Sequence, residues 1–108
     1  MKPVVFLGNS RARLRGFPNP ACRELGYQLE QVQRGRDPDD WKPMKSIGSG
    51  VREIRVRDAS GAFRMIYVAS FGDVVYVLHA FQKKSRRTSP VDLAVAEARF
   101  RSLKRSIV

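Results

Sequence analysis

An apolar stretch from Val74 to Lys84 gives the chain its strongest structural signal, because β-branched and aromatic residues follow one another through its first half. Such a run is typical of a strand that is covered on both faces. The second half carries His79, Phe81 and basic side chains. We therefore predict a buried strand that leaves the core and holds aromatic and cationic groups at its tip.

The residues before this stretch predict two antiparallel neighbours for it. Residues 51–58 place Ile54 and Val56 on one face and charged side chains on the other, and this period of two marks a half-buried strand. Residues 63–70 are apolar on both faces apart from Arg64. With Gly72-Asp73 as a two-residue turn, these segments form a meander with the Val74 strand.

Helix signals flank the predicted strands. Asn9 or Ser10 can cap a short helix that Gly16 ends, and Asn19-Pro20 begins a longer one with apolar residues at helical spacing. Near the end of the chain, Ser89-Pro90 opens a third helix. Its apolar residues recur three and four positions apart, so one side of it is expected to face the core.

Together these elements predict an α+β fold in one domain, residues 1–108. We expect a mostly antiparallel curved sheet, made of a short N-terminal strand at 3–7 and a three- or four-strand meander that includes residues 44–47. Two N-terminal helices are expected to pack on one face, and a C-terminal helix closes the chain. The polar connection before residue 44 contains Trp41, which either pins it to the core or stacks on a ligand.

The turns decide which side chains share a face of the sheet. A Gly72-Asp73 turn places Arg64 opposite Phe81, and His79 and Lys83 then lie on that same face. The turn that precedes Arg64 allows two registers that differ by one residue, and the two place Arg55 and Arg57 on opposite faces of the sheet. We favour the register that pairs Arg57 with Arg64, because the apolar side of residues 51–58 then lies beneath the helices and the arginines stay out of the core.

The net charge predicts the class of partner. The chain has 21 Lys and Arg against 10 Asp and Glu, a formal charge of +11. This excess predicts a polyanion, with nucleic acid first and an acidic protein second. One Cys and one His exclude an internal disulfide and disfavour zinc, so no metal or other cofactor is predicted.

The chain also lacks the signals of a membrane protein or a secreted one. No apolar run approaches the ~20 residues of a membrane span. The apolar start is too short for a signal peptide. We therefore expect a cytoplasmic protein without a membrane partner.

The predicted concave face has residue types that suit single-stranded nucleic acid. Guanidinium groups fit phosphate oxygens as a fixed fork, and lysine adds a point charge. An aromatic ring can stack on an unpaired base. The basic and aromatic residues of this face are Arg55, Arg57, Arg64, Phe81 and Lys83. Lys84, Arg86 and Arg87 follow the strand, where they either bind phosphate or are only solvated.

Two of the candidate residues allow a second interpretation. Arg64 lies among apolar residues, so it needs either a bound anion or a buried carboxylate such as Glu53 or Glu97. His79 is the only side chain that titrates near neutral pH, which makes it an acid–base candidate. In an apolar strand, however, it can equally be a hydrogen-bonded core residue.

Nearly the whole chain resembles the RelE/ParE superfamily of bacterial toxins, in the HigB-like, phage-derived branch of type II toxin–antitoxin systems. The resemblance rests first on Val-Arg-Glu-Ile-Arg-Val at 51–56 and Phe-Arg-Met-Ile-Tyr at 63–67. Val-Leu-His-Ala-Phe-Gln-Lys-Lys-Ser at 77–85 is the third motif. Thr-Ser-Pro at 88–90, before a helix that contains Ala98-Arg99, also fits.

The resemblance implies an endoribonuclease, or mRNA interferase, that needs no metal and acts on ribosome-bound mRNA. A cognate antitoxin, usually with a helix-turn-helix domain, would silence it. In that family a ribose 2′-hydroxyl attacks the adjacent phosphate, while arginines and lysines of the sheet stabilise the developing charge.

The motif positions and the predicted face together assign the site residues. Catalytic roles fall to Arg64, Lys83 and His79, and the last two are the contenders for proton transfer. The residues expected to bind RNA are Arg55, Arg57, Phe81, Lys84 and Arg86. The tyrosine that some relatives use near the C-terminus is absent after Lys104.

Two other function classes stay open at this point. One is a toxin that binds a protein target such as DNA gyrase, as the ParE side of the superfamily does. The other is a non-catalytic nucleic-acid-binding domain, for which the net charge alone suffices. Lys83-Lys84 at the strand tip and the single His favour RNA.

Overall fold

A five-stranded sheet with helices on both faces makes up the structure, a computed structural model that describes residues 1–107. Its elements are β1 (Val4–Phe6), α1 (Ser10–Arg15), α2 (Asn19–Gln33), β2 (Trp41–Pro43), β3 (Val51–Asp58), β4 (Gly61–Val68), β5 (Val75–Lys83) and α3 (Pro90–Ile107). The strand order is β1-β5-β4-β3-β2, and only the β1–β5 pair is parallel. The predicted α+β fold, with a short N-terminal strand and a four-strand meander, is confirmed.

An apolar core lies on each face of the sheet. On one face, Leu25 of α2 belongs to a cluster with Ile54 and other residues of the strands. On the opposite face, Phe100 of α3 belongs to a second cluster with Ile66 and Phe81. Strand β5 contributes to both cores, which explains why its sequence is an almost continuous apolar run.

The helices begin where the sequence predicts. Helix α2 starts at Asn19 with Pro20 in its first turn, and in α3 the backbone N–H of Asp92 donates to Ser89 Oγ at 3.1 Å. The side-chain cap expected for α1 is absent, because Asn9 Oδ1 instead accepts a hydrogen bond from Arg99 at 2.7 Å. Within residues 1–107, no helix is both long and apolar enough to cross a membrane.

The fourth strand of the meander is β2, not residues 44–47 as predicted. Trp41 pairs with Ile54 of β3, and this edge strand ends at Pro43. Immediately afterwards the N–H of Ile47 donates to the Met44 carbonyl at 3.0 Å. This turn prevents the segment from extending, and it brings residues 44–50 towards α3.

The prediction of which β3 side chains share a face with Arg64 is right, but the residue predicted to lie opposite Arg64 is wrong by two positions. Arg55, rather than Arg57, faces Arg64. The turn consists of Ala59-Ser60 alone, because the Asp58 carboxylate accepts the Ser60 N–H at 2.7 Å and fixes it. An even offset leaves the faces unchanged, so all three arginines share one face.

The β4–β5 connection is a loop of residues 69–74 rather than the predicted two-residue turn. Arg64 nevertheless lies opposite Phe81, as predicted, because a β-bulge beside Ile66 shifts the register by one residue. The bulge inserts Leu78 into β5. Leu78 and the adjacent His79 consequently both face α3.

The close approach of Gly48 to α3 gives a first prediction for stability. A Cβ at Gly48 would overlap the ring of Phe100, whereas a Cβ at Gly26, on the exposed side of α2, would meet nothing. We expect Gly48→Ala to lower the free energy of unfolding by about 1–3 kcal/mol. Gly26→Ala, the matched control, should raise it by about 0.5–1 kcal/mol through helix propensity. Thermal unfolding measures both, and equal effects would contradict the packing described here.

Candidate nucleic-acid interface

An open cavity of about 630 Å³ lies where the end of β3, the start of β4 and the end of β5 meet. Among the residues that the structure describes, six cationic side chains line it and no acidic one does. Strand pairing explains the convergence, because Arg55 faces Arg64 and Lys83 faces Ala62. The cationic side chains are Arg55, Arg57, Arg64, Lys83, Lys84 and Arg86.

Arg64 forms the floor of this cavity. Its side chain is 4% exposed, and its Nε lies 3.6 Å from a carboxylate oxygen of Glu53, whose side chain is 1% exposed. A terminal guanidinium nitrogen donates to the Phe63 carbonyl at 3.0 Å. Glu53 and Glu97 were the predicted alternatives for the partner of Arg64, and the ion pair forms with Glu53.

The surroundings of Arg64 have opposing effects on the pKa of its guanidinium group. Burial lowers the pKa of its guanidinium, Glu53 counteracts this effect, and the neighbouring Arg55 and Arg57 lower the pKa further. Arginine nevertheless remains protonated at neutral pH. The floor of the cavity is thus one half of an ion pair, and the net positive charge of the cavity comes from the other five cationic side chains.

Several buried polar atoms around the cavity lack a hydrogen-bond partner within the described residues. They include the Nε atoms of Arg55 and Arg64 and one carboxylate oxygen of Glu53. Buried groups of this kind are rare in folded proteins. Both Nε–H groups are enclosed by protein, so an anion bound in the cavity would contact the terminal guanidinium nitrogens of these arginines instead.

Lys83 is half-buried at the end of β5. Burial lowers the pKa of its ammonium group, and Arg64 lowers it further, while Glu53 raises it. Lys83 therefore loses a proton more readily than a free lysine does. Within the cavity it is better suited to proton exchange than any arginine.

Phe81 and His79 do not line the cavity, contrary to prediction. Phe81 is 1% exposed and belongs to the core beneath α3, so an RNA base cannot stack on its ring. His79 is 3% exposed, stacks on Phe81 with ring centroids 5.3 Å apart, and places Nε2 2.7 Å from Asp92 Oδ1. The packing of α3 over this half of the face thus removes both the stacking role and the acid–base role.

Sequence reasoning missed two arginines that complete the free edge of β5. Strand β1 pairs with Val75–Val77, so among residues 1–107 the carbonyl groups of β5 beyond that point have no strand partner on this side. Arg99 donates to the Leu78 carbonyl at 2.8 Å, and Arg13 Nε donates to the Ala80 carbonyl at 3.1 Å. These hydrogen bonds join α1 and α3 to β5, so the spacing of residues within any one segment does not predict them.

Burial of the only histidine predicts that acid weakens the fold. Burial lowers the pKa of His79, Asp92 raises it again in part, and Arg99 and Arg13 lower it further. Because the unfolded chain, with a pKa of about 6.5, takes up the proton first, the free energy of unfolding falls as the pH drops below that value. We expect the Tm to fall between about pH 7.5 and pH 5.5, and a His79→Gln variant to show a flatter profile. A wild-type Tm that rises on acidification over this range would contradict this prediction.

Comparisons with known proteins agree with this fold. Residues 12–101 match the model of a family described as phage derived protein Gp49-like (DUF891). The structure of the isolated E. coli RelE toxin is similar, with a TM-score of 0.60 over 100% of both chains and 14% sequence identity. No match was found among curated protein sequences. The chain therefore belongs to the phage-derived Gp49-like family, and it has the fold of the RelE toxin.

Proposed function

We propose that this protein is the toxin of a type II toxin–antitoxin system and that it cleaves mRNA as a metal-independent endoribonuclease. The observation that carries the proposal is the cavity lined by six cationic side chains and no acid among the described residues. Phosphoryl transfer places negative charge on the phosphate oxygens, and fixed positive groups stabilise that charge in the transition state.

The site offers two kinds of positive group for this purpose. Arg64 is held at the floor by Glu53, so its direction is fixed before RNA binds. Arg55 and Arg57 from β3 and Lys84 and Arg86 after β5 surround it. A preorganised floor with a more exposed rim suits one reacting phosphate that is held by Arg64 and neighbouring phosphates that are held by the rim.

The reaction that fits these groups is an internal transfer within RNA. The ribose 2′-oxygen gives up its proton and forms a bond to the adjacent phosphorus, and the bond from phosphorus to the 5′-oxygen breaks. The leaving 5′-oxygen then takes up a proton. The products are a 2′,3′-cyclic phosphate and a 5′-hydroxyl, so no water molecule or redox partner is consumed.

Lys83 is the residue we assign to proton transfer. Burial and the neighbouring Arg64 lower the pKa of its ammonium group, which brings it closer to the range where it can give and take a proton. His79 is not assigned this role, because it is buried and bonded to Asp92.

The toxin role implies further partners. We propose a cognate antitoxin, of the helix-turn-helix type that the family resemblance implies, together with mRNA on the ribosome. A surface with a formal net charge of +11 also suits ribosomal RNA, because the phosphate backbone attracts cations irrespective of sequence. The proposed location is the cytoplasm.

Expression of the chain in bacteria, with mapping of RNA 5′ ends, tests this function. We expect growth arrest with new 5′ ends inside coding sequences, and no new ends in cells that express Lys83→Ala at the same level. Arrest with intact mRNA and broken DNA would contradict the proposal and indicate a toxin that acts on gyrase. A harmless chain that only binds RNA would contradict it as well.

A further inference from the structure

We infer that His79, Asp92 and Ser89 form a latch that positions the basic loop, residues 84–88, beside the cavity. The part of this inference that concerns contacts with RNA rests on the proposed function. The part that concerns the attachment of the loop does not. His79 and Asp92 would thus act through Lys84 and Arg86, as positioning residues rather than catalytic ones.

The latch is a continuous chain of hydrogen bonds from the sheet to the end of the loop. His79 Nε2 on β5 lies 2.7 Å from Asp92 Oδ1 in the first turn of α3. The other carboxylate oxygen, Asp92 Oδ2, accepts the hydroxyl of Ser89 at 2.7 Å. Ser89 directly follows the basic loop, so both ends of the loop are attached to one rigid strand.

The basic loop has few other attachments. Within the described residues its hydrogen bonds include one from Ser85 Oγ to the Arg87 carbonyl at 2.8 Å, and none that reaches another element. Lys84, Arg86 and Arg87 are exposed, and no ion pair holds them in the described part of the chain. Their position therefore depends on the two ends of the loop.

Electrostatic repulsion makes such an attachment necessary. The three cations of the loop lie next to those of the strands, and like charges at short range repel one another. Without bound RNA, this repulsion drives the loop away from the cavity. The latch opposes that movement and keeps Lys84 and Arg86 at the rim.

Helix capping alone does not account for the arrangement. The bond between the Asp92 N–H and Ser89 Oγ already caps α3. His79 adds a bond across 13 residues of sequence, between two different elements, and it is almost completely buried there. The helix cap requires only Ser89 and Asp92. The additional bond to His79 on β5 is what attaches the end of the loop to the sheet.

A double-mutant cycle with Asp92→Ala, which removes both side-chain bonds of the latch, and Arg86→Ala tests the latch through RNA binding. The probe is a 2′-O-methyl RNA oligonucleotide, which cannot be cleaved by 2′-hydroxyl attack. We expect Arg86→Ala to raise the Kd about fivefold in the wild-type background and less than about twofold in Asp92→Ala. Arg57→Ala is the matched control, because Arg57 lies on β3 and should have the same effect in both backgrounds. Equal effects of Arg86→Ala in both backgrounds would overturn the latch.

Limited trypsin digestion provides a readout that is independent of RNA. Cleavage after Arg86 or Arg87 should be at least about fivefold faster in Asp92→Ala than in wild type below the unfolding transition. His79→Phe is the second variant, since it keeps the aromatic packing and the Ser89 cap but removes the bond to Asp92. If wild type binds no RNA, the proposed function fails and digestion alone decides the latch. Unchanged cleavage in a folded His79→Phe variant would overturn it.

Discussion

Replacing Lys83 by Ala is expected to lower the rate of RNA cleavage by about 10²–10⁴-fold, the usual effect of removing a general acid or base. Lys83 is half-buried at the cavity, and within residues 1–107 its ammonium group forms no ion pair. Its loss should therefore leave the fold intact. Cleavage of an end-labelled RNA under single-turnover conditions measures the effect.

Lys45→Ala is the matched control for this variant. Lys45 is an exposed lysine in the turn after β2 and lies outside the basic cavity. It carries the same charge, so a general effect of net charge on RNA binding would appear equally in both variants. Cleavage that is lost in neither variant, or lost equally in both, would rule out a specific role of Lys83.

Glu53→Gln is expected to lower the free energy of unfolding by about 3–5 kcal/mol, because it leaves the buried guanidinium of Arg64 without a counter-charge. The pair is almost completely enclosed, with side-chain exposures of 4% for Arg64 and 1% for Glu53. Because the Glu53 side chain is enclosed, water from the cavity does not reach the position of the lost carboxylate. Urea denaturation, monitored by the fluorescence of Trp41, measures the change.

Two further variants show whether this loss comes from the ion pair. Glu97→Gln removes a carboxylate of α3 that forms no ion pair within the described residues, and it should change stability by less than about 0.5 kcal/mol. Adding Arg64→Met to Glu53→Gln should recover most of the lost stability, because the unpaired charge is then absent. A double variant as unstable as Glu53→Gln alone would contradict this explanation.

The sequence predicted the fold well where local patterns determine it. The period of two in residues 51–58 and the apolar run of β5 defined two strands, and Ser89-Pro90 defined the start of α3. The position of β2 was missed because an edge strand that ends at Pro43 has no apolar pattern of its own. The bulge in β5 was missed too, since one extra residue leaves no signal in an apolar run.

The site was predictable to the extent that it depends on strand alternation. Arg55, Arg57, Arg64 and Lys83 meet as expected, because an error of two positions in the register does not change the face. The predictions for Phe81 and His79 failed because the sequence does not indicate which half of the sheet α3 covers. That contact joins residues far apart in the chain, and only the folded structure shows it.

The salt dependence of RNA affinity shows whether the cavity lined by the six cationic side chains holds RNA phosphates. For an uncleavable single-stranded RNA, the logarithm of the association constant falls as the logarithm of the salt concentration rises. Each phosphate contact contributes about −0.7 to this slope. We predict a steep negative slope for wild type and a shallower one, by about one contact each, for Arg57→Ala and Arg86→Ala. An affinity that stays constant between low and physiological salt would mean that the cavity does not hold RNA phosphates.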